Sequence, residues 1–428
     1  MRRFCTILVA TLAFTISANA SVTLQECRDK ARENYPLVRR YDLIRATKEC
    51  NVHNASLSWL PRLELGGGGA WLSNVTDAAD LGEILGQLAS MIDLTGKKEQ
   101  PWRYQVSAGV TQNIWDGGAS ALGKKTAEAV AAKDEAELEV SLYELQRQVD
   151  EVYFSILLLE RRLELAENRI GVLTDNSRKL QSLHREGFVS DMDVSKMDAE
   201  ILSAEQIVDE IKSGIKVFRI SLSLLTGTNM SDEKLTVPAE PVTGAPFRRP
   251  EFLLIESHKK MLSLQEKKLD VELMPKIGLY ADAGYGYPNR NIFMNLTGSN
   301  PTFNAQAGIR IIFNISPLYS RSRDKSIISN QMEMLNIQRD ILNFNLNLAN
   351  RQLLQEAERL RECLRRDNRI LELRTKLRIA AEKRLEEGDI DLTDLLKDIN
   401  EENAAALQSG IHSITLLKTL YKQVKTGM

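Results

Sequence analysis

The chain is poor in the residue types that bind metals or form disulfides. Its 428 residues include four histidines and four cysteines, and no two histidines have the spacing of an H-E-x-x-H zinc helix. The histidines are His53, His184, His258 and His412. The run Gly66 to Gly69 lies in a strand pattern and lacks the G-K-[ST] that would follow in a phosphate-binding loop. We therefore expect no catalytic residue, no metal site and no cofactor, and we do not predict an enzyme.

A basic surface and an apolar helix of membrane length are also missing. Lys and Arg total 56 against 58 for Asp and Glu, with no basic block, so we expect no nucleic-acid partner. After residue 20, no stretch has the roughly 20 apolar residues that a membrane-spanning helix needs. The chain is nevertheless 43% hydrophobic, which is too apolar for a disordered protein.

Residues 1–20 have the form of a secretory signal peptide. Two arginines precede an apolar run, residues 4–16, and Ala18 and Ala20 mark a cleavage site before Ser21. The mature chain is therefore expected to be exported, with a retained N-terminal anchor helix as the alternative.

The remaining cysteines, Cys27, Cys50 and Cys363, are an odd and widely spaced set, which is not a disulfide framework. Along one helix Cys27 and Cys50 would lie about 35 Å apart at 1.5 Å per residue. A bridge between them would require the chain to fold back at Pro36, and whether they pair stays open.

The chain repeats one plan. Pro36 and Pro250 are 214 positions apart, and so are the prolines of "WLPRLEL" and "MPKIGLY". Further on, "HREGFVSDMDV" around Gly187 matches "LEEGDIDLTDL" around Gly388 at a separation of 201. We predict a signal peptide at 1–20, a first repeat at 21–226, a linker at 227–246 and a second repeat at 247–428.

Each repeat is predicted to contain a helix, two strands and a long interrupted helix. Thr23 and Glu26 can form a capping box for the first helix, which we expect to break at Pro36 and to end before Pro61. Alternation of apolar and polar residues predicts the strands, which cover 62–71, 102–115, 276–287 and 302–316.

A heptad pattern of apolar residues runs through the long helices. It follows the 4,3 rhythm from Leu138 to Leu173, and from Leu342 to Leu364 with one stutter. The first long helix is predicted over 119–186, about 100 Å at 1.5 Å per residue. Gly187 and Gly388 interrupt the two helices at matching places, so each helix is expected to turn there.

The predicted strands have the length of transmembrane β-strands, about 9–11 residues. All four tryptophans, Trp59, Trp71, Trp102 and Trp115, lie at or beside the ends of the first hairpin, as in an aromatic girdle. Four strands cannot close a barrel, and an open edge is not tolerated in lipid. A membrane location therefore requires copies of the chain to associate; a soluble sheet with an ordinary apolar face is the alternative.

On these features the chain resembles the TolC-like outer-membrane efflux proteins over nearly the whole mature length. The resemblance is carried by "NYPLV" and "RRPEF", "LPRLEL" and "MPKIGL", "QNIWDGG", and the turns "EGFVSDMDV" and "EGDIDLTDL"; it is weaker at "SPLYSRS". It implies a mainly α protein with a β-barrel part. Three copies would form a twelve-stranded barrel in outer-membrane lipid, with coiled-coil helices forming a hollow α-barrel in the periplasm.

The resemblance also implies a function. Such a homotrimer is a passive exit duct of a tripartite efflux or type I secretion system, working with a periplasmic adaptor and an inner-membrane pump. The hairpin loops, 73–101 and 288–301, would face the cell exterior. A soluble periplasmic adaptor is the alternative, which explains the heptads but not the strands. The sequence does not identify the cargo.

A pore constriction is implied where the helices turn. Family members carry an Asp six residues after the glycine and another three residues later. Asp394 matches the first position after Gly388, whereas Lys397 occupies the second; Asp193 holds the place of Asp394 after Gly187. We expect Asp394 to line the constriction, Asp193 to make neighbouring gate contacts and Lys397 to offset part of the charge. A solvated acid at a helix start is the alternative for each acid.

Overall fold

The computed structural model of the chain describes residues 21–73, 100–242, 248–288 and 300–426. The predicted signal peptide and most of both hairpin loops therefore lie outside the described residues. The chain divides into two compact units, each built from both halves of the sequence. The first contains the described residues of 1–41, 136–254 and 338–428, and the second those of 42–135 and 255–337.

The secondary structure follows the predicted plan twice. The first half contains α1 (Leu24–Asn34), α2 (Arg40–Ser56), β1 (Arg62–Trp71), β2 (Trp102–Trp115), α3 (Ala119–Arg185) and α4 (Asp191–Thr226). The second half contains α5 (Pro250–Val271), β3 (Lys276–Tyr287), β4 (Thr302–Ile312), α6 (Leu318–Glu386) and α7 (Leu392–Val424). The mainly α fold with a small sheet is confirmed, and so are the two very long helices, of 67 and 69 residues.

Helix α1 begins and ends where the sequence predicts. The Glu26 amide donates to Thr23 Oγ1 over 3.2 Å, and the Thr23 amide donates to Glu26 Oε2 over 3.0 Å. This is a capping box, which satisfies two amides at the helix start. The helix stops at Asn34, and Pro36 opens a 3-10 turn because proline has no N–H to continue the helical ladder.

The described cysteines carry free thiols. Cys27 is buried on α1, whereas Cys50 on α2 is exposed. Burial raises the pKa of the Cys27 thiol to about 11. The bridge that the sequence leaves open is therefore not formed, and Cys27 packs as a small apolar side chain.

The core of the first unit lies along the predicted seam of α3. Buried seam residues are Leu138, Leu142, Leu145, Val149, Ile156 and Leu173. The hydroxyl of buried Tyr153 lies 2.9 Å from the Val22 carbonyl and 2.7 Å from the Thr236 carbonyl. Helix α3 therefore holds the segment before α1 next to part of the predicted linker.

Part of the predicted linker is packed rather than extended into solvent. Met230 and Leu235 are buried, and Leu235 forms a parallel bridge with Val22. Arg219 Nη1 donates to three carbonyls of this segment, those of Met230, Ser231 and Glu233, over 2.8–2.9 Å. The segment from Met230 to Leu235 is therefore fixed against α4 by Arg219 and by burial of its two apolar side chains.

The second unit contains one antiparallel sheet with the strand order β1-β2-β3-β4. Three of its strands cover the predicted ranges. Strand β4 ends at Ile312, four residues before the predicted end, so that prediction was too long. The reason is local: Asn314 Oδ1 accepts the Ser316 amide over 3.2 Å and turns the chain ahead of α6.

Candidate functional site

One face of the sheet is apolar from edge to edge. The register aligns its rows: Leu65, Ala108, Ala283 and Ala305 in one, and Leu63, Val110, Ala281 and Ala307 in the next. Leu65 is 88% exposed. A single chain therefore leaves this face open, as a lipid-facing surface requires.

The opposite face is polar, and its charges lie in layers. One row contains Glu64, Gly109, Asp282 and Gln306. Gln306 Nε2 donates to Asp282 Oδ1 over 2.8 Å. The adjacent row begins with Arg62, and in the row beyond it Arg310 lies 4.7 Å from the centre of the Tyr280 ring. A carboxylate layer thus adjoins arginines on this face.

The sheet has two edges, β1 and β4. Within the part of the chain that the structure describes, each of these strands has a neighbour on one side only, so each carries N–H and C=O groups outside the ladder. The strands contain 10 and 11 residues, which is enough to cross the apolar part of a membrane. In lipid, both edges must be paired.

The tryptophans lie at both ends of the first hairpin. Trp71 and Trp102 are opposite each other at the end of β1. Trp115 ends β2 opposite Ile277, and Trp59 lies in the 3-10 turn before β1. All four expose 44–62% of their surface, which suits contact with an interface rather than a core.

Gly187 and Gly388 lie in the turns between α3 and α4 and between α6 and α7. Their φ angles are +84° and +77°, in the left-handed region that favours glycine. The amide after each glycine donates to the carbonyl five residues earlier: Phe188 to Leu183 over 3.0 Å, and Asp389 to Arg384 over 2.8 Å. Both turns therefore have the same Schellman geometry.

A shared apolar cluster within the first unit holds the two turns side by side. It contains Leu173, Leu180, Met197, Ala204, Ala381, Leu392, Leu395 and Ile399, from α3, α4, α6 and α7. Both turns also line a cavity of about 600 Å³, to which Phe188, Asp193 and Asp391 contribute.

Asp193 is held by its own helix start. Ser190 Oγ donates to Asp193 Oδ2 over 2.7 Å, and Lys196 Nζ lies 3.4 Å from Asp193 Oδ1. The hydrogen bond from Ser190 is the largest cause that lowers the pKa of Asp193. Asp193 is thus engaged locally.

Asp394 occupies the equivalent position on α7 with different contacts. Its amide donates to the Asp391 carboxylate over 2.9 Å. Its own carboxylate is exposed, and within the described parts of the chain it has no hydrogen bond or ion pair. Lys397 is exposed too, and it stands 201 positions after Lys196, so the repeat itself places a lysine there.

Residues 27–228, which cover most of the predicted first repeat, match a family model described as outer membrane efflux protein. The match covers just under half of the chain, so this part of the chain is similar to that family. A comparison with curated protein sequences gives no significant match.

Solved structures with a similar fold cover nearly the whole length of this chain. The outer membrane protein VceC from Vibrio cholerae is 13% identical, over 94% of this chain and 96% of that chain, with a TM-score of 0.67. The Campylobacter jejuni CmeC outer membrane channel is 12% identical, over 95% and 86%, with a TM-score of 0.64. The open state of the Neisseria gonorrhoeae MtrE outer membrane channel is 14% identical, over 94% and 88%, with a TM-score of 0.62. The likeness is one of fold, and it extends over both predicted repeats.

Two apolar helix stripes lie outside the predicted heptad seams. On α6, Ile341, Phe344 and Leu348 are exposed, next to the predicted seam residues Leu346 and Ala349. On α4, the exposed stripe is Val217, Ile220 and Leu224. Both stripes belong to the first unit. The sequence does contain a signal for the α6 stripe: its apolar residues stand beside the seam residues Leu346 and Ala349.

Within the residues that the structure describes, no group of three metal-ligating side chains exists, and no helix combines the length and hydropathy of a membrane span. Two of the histidines have local contacts instead. His184 Nδ1 lies 2.8 Å from the Val189 carbonyl, and His412 Nδ1 lies 2.6 Å from Asp367 Oδ2.

Removing the Ser190 hydroxyl is expected to loosen the start of α4. Ser190 is the N-cap, and its hydroxyl accepts the Asp193 amide over 3.3 Å. Ser190→Ala should cost about 0.5–2 kcal/mol and speed hydrogen exchange in the first turn of α4. Ser221→Ala is the control, because that hydroxyl only donates back to the Val217 carbonyl. Equal exchange in both variants would contradict the assignment.

The pH dependence of this cap follows from the lowered pKa of Asp193. A carboxyl group whose pKa is lower in the folded chain stabilises it fully above the unfolded value of about 3.9. The contribution is lost as the pH falls through the lower folded pKa. Exchange of the first turn should therefore rise below about pH 4 in the parent protein and change less in Ser190→Ala.

Proposed function

We propose that this protein is the passive outer-membrane exit duct of a tripartite efflux or type I secretion system. The observation that carries the proposal is the sheet: four strands of membrane length, one apolar face and two unpaired edges. The duct performs no chemistry. An inner-membrane pump supplies the energy, and a periplasmic adaptor connects the pump to the duct.

Pairing β4 of one copy with β1 of the next removes both edges. Three copies give twelve strands, which lies within the size range of membrane barrels. The apolar face then contacts lipid, and the polar face with Glu64 and Asp282 lines the interior. The TolC-like resemblance favours three copies over two.

The exposed helix stripes supply a second contact between copies. The α6 stripe (Ile341, Phe344, Leu348) and the α4 stripe (Val217, Ile220, Leu224) are apolar and open in a single chain. Burying each such side chain stabilises an assembly by about 1.5–3 kcal/mol. Packing α6 of one copy on α4 of its neighbour would continue the ring through the helices.

The constriction proposal rests on the difference between the two helix starts. Asp193 is engaged with Ser190 and Lys196, whereas the Asp394 carboxylate has no partner among the described residues. Three copies of Asp394 around an axis would attract cations into a narrow mouth. Lys397 offsets part of that charge, and Asp193 makes the neighbouring gate contacts.

Single-channel recordings test the role of Asp394. In Asp394→Ala we expect weaker cation selectivity and weaker block by multivalent cations, because the ring of carboxylates is removed. Asp389→Ala is the matched control, because Asp389 lies in the turn, two residues before the N-cap Asp391. If conductance, selectivity and block of Asp394→Ala all equal those of the parent, the constriction lies elsewhere.

Cell fractionation tests the function itself. Recovery of a heat-modifiable trimer from outer membranes, with conductance in planar bilayers, supports the duct. Recovery of the chain in the soluble periplasm would favour an adaptor. A panel of drugs, metal ions and siderophores applied to a deletion strain then identifies the cargo.

A further inference from the structure

A groove of about 430 Å³ in the first unit has no part in the duct as proposed. Its walls come from α3, from Arg249 before α5, from α6 and from the end of α7. The apolar wall consists of Phe154, Leu346, Ala349 and Leu353. The volume is in the range of small-molecule sites.

The cationic wall is a regular row. Lys418 and Lys422 are spaced i and i+4, so they lie on one face of α7, and Lys425 follows at i+7 as the C-cap residue. All three line the groove. Lys425 is mostly buried, and burial is the largest cause that lowers its pKa. The amine is thus held where its charge is poorly solvated.

Positive charge exceeds negative charge at this wall. Asp150 Oδ1 accepts from Arg28 Nε over 2.7 Å, and Asp150 Oδ2 accepts from Lys425 Nζ over 2.5 Å. Glu151 is shared by Lys418 and by Lys422, the latter at 3.3 Å. Four cations therefore share two carboxylates.

The other charges of the groove do not change this balance. Arg147 pairs with Glu144 over 2.9 Å, and Arg249 Nε pairs with Glu251 over 3.0 Å. The residues that line the groove thus include five cationic side chains against three carboxylates, which leaves positive charge for an anion.

We infer that this groove binds an amphiphilic anion, with a carboxylate head on the Lys418, Lys422 and Lys425 row and an alkyl chain along Leu346, Ala349 and Leu353. A charged head alone would lack the apolar wall. An alkyl chain alone would leave the lysines with their excess charge. The groove is distinct from the proposed constriction at Asp394, and this inference does not depend on the proposed function.

Calorimetric titration of the purified full-length assembly in amphipol tests the site, with octanoate as the probe. Octanoate should bind saturably at one site per chain. Acetate and 1-octanol, which lack the tail or the charge, should bind at least tenfold more weakly. Equal binding of octanol and octanoate would show partition into apolar surface and overturn the proposal, as would the absence of saturable octanoate binding.

Variants locate the site. The double variant Lys418→Gln with Lys422→Gln should weaken octanoate binding at least tenfold. Ala349→Phe should weaken it as much, because the larger side chain fills the apolar part of the groove where the alkyl chain lies. The matched control is Lys376→Gln with Lys383→Gln, two exposed lysines of α6 outside the groove. If both groove variants bind octanoate as tightly as the control, the ligand binds elsewhere and the inference is wrong.

Discussion

Arginine in place of Leu65 is expected to prevent the barrel from assembling in the outer membrane. Leu65 lies near the middle of β1 on the apolar face, opposite Ala108. An arginine on the lipid side near the bilayer centre costs about 2–4 kcal/mol. A trimer carries the substitution three times, about 6–12 kcal/mol in total, which is comparable with the whole stability of a typical domain.

The neighbouring residue provides the control. Glu64→Arg introduces the same side chain one position away, on the polar face, where water in the interior solvates it. Heat-modifiable trimer in outer-membrane fractions should be lost in Leu65→Arg and kept in Glu64→Arg. A normal amount of trimer in Leu65→Arg would show that the apolar face does not contact lipid. It would then favour the alternative that the strands form a soluble sheet.

Truncating Leu395 is expected to release the two helix turns from each other. Leu395 is fully buried in the cluster formed by α3, α4, α6 and α7. Leu→Ala at such a site costs about 2–5 kcal/mol, through lost burial and the cavity left behind. Because the cluster joins the turns, hydrogen exchange should accelerate around Gly187 as well as around Gly388.

If the turns form the closed end of the duct, Leu395→Ala should also raise basal conductance in planar bilayers. Met192→Ala is the matched control, since Met192 lies beside the same turns but is exposed. Acceleration confined to the α7 side would show that the cluster does not couple the turns. Unchanged conductance with faster exchange at both turns would separate packing from gating.

Much of the fold could be predicted because its signals are local and periodic. The heptads from Leu138 to Leu173 need only a rhythm of apolar residues, and six residues of that seam are buried in the structure. Strand alternation predicted which residues share a face, as the register of Leu65, Ala108 and Ala283 confirms. The end of β4 was missed because one Asn314 side chain, rather than a pattern, turns the chain.

Features made by distant segments could not be predicted from the sequence. Tyr153 lies outside the predicted seam, yet it is buried and its hydroxyl contacts carbonyls 131 and 83 positions away. The lysines at the end of α7 indicate no site in the sequence, because the groove forms only when α3 places Asp150 and Glu151 opposite them. The roles of Asp394, Lys397 and Asp193 remain predictions, because a constriction forms only between copies.

The two turns have one backbone geometry and two chemistries. At the exposed tip after the glycine, the first repeat has Phe188, 77% exposed, and the second has Asp389. The residues that cap the next helices differ in the same sense, Ser190 against Asp391. In an assembly of three chains, six tips would have the outline of a hexagon while aromatic and acidic tips alternate around it. A partner that matches only the outline would fit in six orientations about the axis. A partner that also distinguishes the aromatic tips from the acidic tips would fit in three, so the difference between the two turns would fix the orientation of the partner.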